Sequence, residues 1–123
     1  MIQEHTTYAI RGAAFEVHRA LGPGLLESAY QQCLAYELSQ RGHLVEREVG
    51  LPLKYNNVSL DVGYRIDLLV DRSIILEIKS VEKFLPIYTA QLLTYLKLSE
   101  IRVGLLMNFN TQNMQTGIKR YVL

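Results

Sequence analysis

Two apolar strands that carry charged residues are the feature that most constrains this chain. The stretch Tyr64–Ser80 predicts two strands rich in Ile, Leu and Val, joined by a tight turn at residues 71–73. Asp67 lies in the first strand, and Glu77 and Lys79 lie in the second. Side chains alternate across a strand, so Glu77 and Lys79 point to the same face. Ionised groups among aliphatic side chains are costly unless they are paired or bind a metal, so these three residues predict a functional cluster.

Length and composition limit the classes of function. The chain has 123 residues and a net charge of +1, so we expect one domain over residues 1–123 without a strongly basic coat for nucleic acid. Cys33 is the only cysteine, which excludes a disulfide framework and a cysteine-based zinc site. There is no signal-peptide pattern, and no apolar run approaches the ~20 residues that span a bilayer. We therefore expect a cytoplasmic protein without a membrane partner.

The remaining periodicities predict helices before and after the strand pair. Apolar spacing predicts a helix over residues 4–21 and a second from about Leu25 to Gln40, ended by Gly42. Strand character follows over residues 43–55, where Pro52 indicates an edge position or a bulge. The other predicted elements are a hairpin turn at Asn56-Asn57, a return strand at 58–60, a helix at about 87–99 and strands at 102–109 and 117–123. This order brings the three charged residues of the strand pair to adjacent strands.

The charged cluster has a definite chemical use. Carboxylates from neighbouring strands, here Asp67 and Glu77, can share a divalent cation through oxygen ligands. The Lys79 ammonium can orient or help activate a water, or stabilise charge that develops on a phosphate. Glu27 adds a further carboxylate if the second helix packs across the mouth, although its spacing alone favours a first-turn acid stabilised by the helix dipole. The cluster therefore suits phosphodiester hydrolysis, and the alternative is a charged pair on the solvated side of a sheet.

The order and spacing of these motifs resemble the PD-(D/E)XK nuclease superfamily, and more closely its small GxxExxY branch. The motif that names the branch is present as Gly24-Leu-Leu-Glu-Ser-Ala-Tyr30. The other segments similar to the branch are Val17–Pro23, Tyr64–Val70, Glu77–Lys79, Ala90–Leu96, Gly104–Phe109 and Gly117–Arg120. The likeness covers nearly the whole chain. It implies an α/β fold with a restriction-endonuclease-like core, in which a central mixed sheet is flanked by helices.

The resemblance also assigns roles to individual residues. It implies Asp67, Glu77 and Glu27 as metal ligands. It implies Lys79 as the catalytic lysine, and Gln91 as the polar residue that supports the metal site or the substrate. The implied cofactor is Mg²⁺ or Mn²⁺, and the implied substrate is nucleic acid.

Three more residues are candidates for substrate binding. Arg65, two residues before Asp67, can share its face and contact a phosphate oxygen, with a salt bridge to a core acid as the alternative. Tyr30 and Tyr95 can hydrogen-bond to the acids, although the sequence favours core aromatics with a solvated hydroxyl.

Two classes of function stay open at the level of the sequence. One is a metal-dependent nuclease, for which a homodimer would reconcile the small size of the chain with cleavage of a duplex. The other is a non-catalytic nucleic-acid-binding or assembly module that keeps the fold. A small phosphoester hydrolase with the same metal cluster is a third option.

Overall fold

A five-stranded mixed sheet forms the centre of the protein in a computed structural model that describes residues 2–123. The strands are β1 (Val45–Gly50), β2 (Leu53–Tyr55), β3 (Val58–Leu60), β4 (Arg65–Val70), β5 (Ile74–Lys79), β6 (Val103–Asn108) and β7 (Ile118–Val122). The helices are α1 (Glu4–Leu21), α2 (Glu27–Gln40) and α3 (Pro86–Ser99), and a short 3-10 helix spans Met114–Gly117. The sheet has the order β1-β4-β5-β6-β7, in which β5 and β6 are parallel and the other neighbours are antiparallel. Strands β2 and β3 pair separately as a hairpin.

Helices cover both faces of the sheet because its central strands bury apolar side chains on both sides. Helices α1 and α2 pack on one face, and α3 packs on the other. In β5, Leu76 and Ile78 contact the α1–α2 side, whereas Ile75 contacts the α3 side. The same alternation directs Glu77 and Lys79 to the α3 side. The predicted mixed sheet flanked by helices is confirmed, and within the described residues no helix is both long and apolar enough to cross a bilayer.

Local sequence signals located most elements to within about two residues of their observed ends. Gly42 follows α2 with a φ of 91°, the left-handed conformation that glycine adopts without strain. The hairpin turn at Asn56-Asn57 is confirmed, with φ angles of 48° and 65°. The strand-like segment 43–55 divides at Leu51-Pro52 into β1 and β2, since Pro52 has no N–H for a ladder.

Strand β4 becomes irregular at Asp67. Leu68 and Leu69 contact opposite sides of the sheet, as alternation requires, but Ile66 contacts the same side as Leu69. The β1–β4 ladder omits the Glu48–Asp67 pair, and Glu48 has a φ of 52°. The β4–β5 ladder also stops at Leu68. A non-glycine residue in the left-handed region is strained, and such strain tends to concentrate at functional sites.

Gly117 allows the 3-10 helix to approach β6 closely. A Cβ atom at this position would overlap the carbonyl oxygen of Asn108. We expect Gly117→Ala to lower the free energy of unfolding by about 1–3 kcal/mol, because backbone cannot move aside as a flexible side chain can. The matched control is Gly12→Ala in the interior of α1, where a Cβ meets the Arg41 guanidinium at 3.4 Å and alanine favours the helix by up to ~1 kcal/mol. Thermal unfolding measures both variants, and a wild-type Tm for Gly117→Ala would contradict the close approach.

Candidate active site

Two carboxylates join β4 to β5 where the backbone ladder stops. The backbone N–H of Ile78 donates to Asp67 Oδ2 over 2.8 Å, and the backbone N–H of Asp67 donates to Glu77 Oε2 over 3.0 Å. Each acid therefore accepts a hydrogen bond from the opposite strand in place of a ladder carbonyl. Glu77 is only 3% exposed, and Asp67 is half-buried. These bonds fix both side chains and favour their ionised forms.

Burial raises the pKa of both acids in spite of these bonds. Desolvation raises the pKa of Glu77 to about 8, with a contribution from the charge of Asp67. Desolvation raises the pKa of Asp67 to about 6, and the charges of Glu48 and Glu27 act in the same direction. The Lys79 ammonium and the backbone hydrogen bonds oppose both shifts without cancelling them. The protein surroundings alone therefore do not balance the negative charge of both acids in their ionised forms, and a bound cation would supply the positive charge that favours the ionised pair.

Lys79 lies on the same face of β5 as Glu77, at the end of the strand. Its Nζ is 4.7 Å from the centroid of the Tyr88 ring, a cation–π contact with α3. Its charge lowers the pKa of Asp67 and of Glu77, although burial prevails in both. Lys79 thus interacts electrostatically with both acids and lines a cavity of about 490 Å³ on the α3 side.

Gln91 and Tyr95 lie one turn apart on α3 and line the same cavity as Lys79. Gln91 Nε2 donates to the Tyr95 hydroxyl over 3.3 Å. Burial raises the pKa of that hydroxyl, and the charges of Glu77 and Asp67 raise it further. The structure therefore brings Tyr95 into the electrostatic field of the acids, while its hydroxyl is bonded to Gln91.

Glu27 approaches from the opposite side of the sheet. It is the first residue of α2, where the helix dipole favours an acid, and its Oε2 accepts a hydrogen bond from the Ser80 N–H over 3.1 Å. The second cavity, of about 290 Å³, is lined by Glu27, Ser28, Gln31, Glu48, Asp67 and Ile78. Glu27 is thus near enough to raise the pKa of Asp67, but its carboxylate is held at the end of β5.

The predicted metal and catalytic residues are consequently divided between two cavities. Lys79 and Gln91 line one, Glu27 and Asp67 line the other, and Glu77 lines neither. Among residues 2–123, no set of three or more His, Cys, Asp or Glu side chains is arranged to hold a metal ion. The pair that the structure does bring together consists of two carboxylates, and one or two carboxylates with water are the usual protein contribution to a Mg²⁺ site. The donor set of the pair therefore fits a divalent cation.

Tyr30 occupies the core position that the sequence favoured over hydrogen bonding to the acids. It is fully buried, and its ring stacks on Phe109 with centroids 4.7 Å apart. Its hydroxyl donates to the Gly22 carbonyl over 2.5 Å and accepts from the Leu25 N–H over 3.1 Å. This hydroxyl therefore closes the loop that leads into α2 and does not bond to the acids, while substrate binding by Tyr30 stays a prediction.

Arg65 is exposed at the start of β4 and lines a further cavity beside Asp61. Its Nη1 donates to the Tyr64 carbonyl over 2.9 Å and lies 3.6 Å from Asp61 Oδ1. The alternative of a salt bridge to a core acid is therefore wrong, because the acid beside Arg65 is the exposed Asp61. Contact between Arg65 and a phosphate stays a prediction.

Two site residues have no counterpart in the sequence analysis. Glu48 lines the cavity with Asp67, and its charge raises the pKa of both paired acids. Gln31 is buried, and its Nε2 donates to the Asp67 carbonyl over 3.3 Å. Gln31 directly follows the Gly24–Tyr30 motif, which is a signal that could have found it. Glu48 gives no such signal, because Glu does not mark a left-handed backbone position.

Comparison with known proteins identifies the family. A family model for the PD-(D/E)XK nuclease superfamily matches residues 4–121, and the chain therefore belongs to that superfamily. Nucleases of this superfamily generally use divalent metal ions. No curated protein and no solved structure gives a significant match.

We expect the metal-free protein to lose thermal stability as the pH rises from about 4.3, the ordinary pKa of the carboxyl, to about 8. The pKa of Glu77 is about 8 in the folded state, so the folded state holds this proton more tightly than the unfolded chain, in which the carboxyl titrates near ~4.3. Stability is therefore lost as the pH rises through this window. Glu77→Gln stays neutral and keeps an oxygen for the Asp67 N–H, so its fall in Tm should be smaller by at least ~4 °C.

The control for this experiment is Glu82→Gln, which removes an exposed acid in the connector after β5. Thermal unfolding in a chelator at several pH values should give the wild-type slope for this variant. Parallel curves of Tm against pH for wild type and Glu77→Gln would contradict the raised pKa.

Proposed function

We propose that this chain is a metal-dependent nuclease that hydrolyses phosphodiester bonds of nucleic acid with Mg²⁺ or Mn²⁺. The observation that carries the proposal is the pair Asp67–Glu77, in which each acid accepts a backbone hydrogen bond from the opposite strand. Membership of the nuclease superfamily supports it. We further propose that residues 1–123 form one nuclease-like domain of the GxxExxY branch, on the strength of the Gly24–Tyr30 motif.

In this proposal Asp67 and Glu77 hold the cation. Glu27 is the third ligand when its carboxylate leaves the Ser80 N–H and turns toward Asp67, whose cavity it already lines. When bound, the divalent cation polarises a phosphate oxygen and lowers the pKa of a coordinated water. Because the carboxylates are fixed by backbone N–H groups, they need little reorganisation at the moment of reaction.

Lys79 supplies positive charge on the side of the acids that faces the larger cavity. Its ammonium donates hydrogen bonds to a phosphate oxygen or to the attacking water, and the Tyr88 ring restricts its position. Gln91 is held by its bond to Tyr95 and presents its remaining amide atoms to the cavity. We propose that this residue positions the substrate near the ammonium.

A non-catalytic nucleic-acid-binding or assembly module is the second candidate. It is favoured by the bond between Glu27 and the Ser80 N–H, which holds the third acid away from the pair. The net charge of +1 also gives little general attraction for a duplex. For either function we propose a cytoplasmic location and nucleic acid as the partner. A homodimer would provide two sites, one for each strand of a duplex.

The test is a cleavage panel with labelled single-stranded, duplex and branched DNA and RNA, in Mg²⁺ or Mn²⁺. We expect wild type to cleave at least one substrate, and Lys79→Ala to lose activity by roughly 10²-fold or more, because charge that develops on phosphate is no longer balanced. Asp67→Asn should lose activity to a similar or greater extent.

Lys54→Ala is the matched control, since Lys54 is an exposed lysine on the β2–β3 hairpin. It should retain wild-type activity, and thermal unfolding should show that all variants are folded. Full activity in Lys79→Ala and Asp67→Asn would refute the assigned roles. Absence of cleavage across the panel would instead support the non-catalytic module.

A further inference from the structure

The larger cavity has an aromatic lining beside Lys79. It measures about 490 Å³ and is lined by Tyr64, Lys79, Ile87, Tyr88, Ala90, Gln91, Thr94 and Tyr95. Its volume falls in the range of small-molecule sites, roughly 300–1,000 Å³. The assigned roles leave Tyr64 without a function and give Tyr88 only its contact with Lys79.

The three tyrosines differ in exposure, so that Tyr95 forms the bottom of the cavity and Tyr64 and Tyr88 form its sides. Tyr95 is buried, whereas Tyr64 is 37% exposed and Tyr88 is half-buried. The ring centroids of Tyr64 and Tyr95 are 5.9 Å apart, with planes inclined by 51°. Ile87 at the rim is 65% exposed. The cavity thus presents aromatic and aliphatic surface to solvent, which a planar apolar ligand would cover.

The polar groups of the cavity are few and suit the edge of a ligand. Gln91 offers amide donor and acceptor atoms, and Thr94 offers an exposed hydroxyl. Lys79 Nζ lies 4.7 Å from the Tyr88 ring centroid, so one positive charge adjoins the aromatic wall. A flat ring system with hydrogen-bonding edges and an attached anion matches all three features.

The geometry points to a subsite for an unpaired nucleobase, whose attached phosphate lies toward Lys79. The substrate class is then a nucleic acid with a single-stranded or flipped-out nucleotide next to the bond that is cleaved. This inference rests on the proposed nuclease function and specifies its substrate. Base–aromatic stacking is tolerant of sequence, and it gives affinity without the basic surface that this chain of net charge +1 lacks.

Binding is measured first, in a chelator so that no cleavage occurs, by fluorescence anisotropy of labelled oligonucleotides. The four probes are single-stranded DNA, single-stranded RNA, the DNA duplex, and a DNA single strand of the same length that is abasic at every position. We expect the intact single strand to bind roughly tenfold more tightly than the duplex and the abasic strand. Comparison of the single-stranded DNA and RNA probes shows which nucleic acid supplies the base.

The variants separate stacking from folding. Tyr88→Leu removes the ring and should weaken binding of the intact single strand by roughly tenfold, whereas Tyr88→Phe keeps the ring and should restore the wild-type affinity. Tyr36→Leu, which removes an exposed tyrosine on the opposite face of the molecule, should leave affinity unchanged. A 2-aminopurine base in the oligonucleotide gives a second readout, since its fluorescence is quenched when it stacks on an aromatic ring.

The outcomes distinguish this inference from the nuclease proposal. Equal affinities of wild type and Tyr88→Leu, or of intact and abasic strands, would overturn the subsite even if cleavage is observed. Ring-dependent binding and quenching without any cleavage would support the subsite and overturn the hydrolytic role. Ring-dependent binding together with cleavage of the single strand supports both.

Discussion

The structure depends on a pair of hydrogen bonds that run from backbone to carboxylate between β4 and β5. At Asp67 the chain leaves the ladders on both of its sides, and unpaired backbone N–H groups at the centre of a sheet would be costly. Glu77 accepts from the N–H of Asp67, and Asp67 accepts from the N–H of Ile78. The interruption of the ladders is therefore stabilised by the two acids that lie there. Fold and site share the same two bonds.

This arrangement leaves the pair with too little positive charge in the protein alone. Burial raises the pKa of Asp67 and Glu77, and the nearby Glu48 charge adds to both shifts, while Lys79 offsets them only in part. Glu77 is only 3% exposed, so water solvates it poorly. A site that binds a cation and a phosphate gains from this imbalance, because each ligand relieves part of it. The two cavities then have separate tasks, with Glu27, Glu48 and Asp67 on the α2 side and the Lys79 ammonium with aromatic rings on the α3 side.

The sequence predicts the fold to the extent that local signals determine it. Helix spacing, Gly42 after α2 and the Asn56-Asn57 turn act over a few residues, so their positions follow from sequence. The charged residues of the β4–β5 pair can also be recognised from the sequence, because a charge in a core strand is costly unless it belongs to a functional site.

What the sequence does not predict depends on contacts between distant segments. Tyr30 belongs to the same motif as Glu27, yet its hydroxyl closes a loop whose path only the packed helices define. The left-handed backbone of Glu48 arises from pairing with an irregular β4, and no local propensity marks it. The bond of Glu27 to the Ser80 N–H likewise depends on how α2 meets the end of β5.

The most direct test of the central claim is an NMR titration of the metal-free protein with substoichiometric Mn²⁺, which broadens amide signals near the bound ion. If Asp67 and Glu77 form the primary cation site, the amides of Asp67 and Ile78 broaden first, and Asp67→Asn abolishes this selectivity. Broadening that is equal at exposed acids such as Glu16 and Glu37, or that is unchanged in Asp67→Asn, would contradict the account.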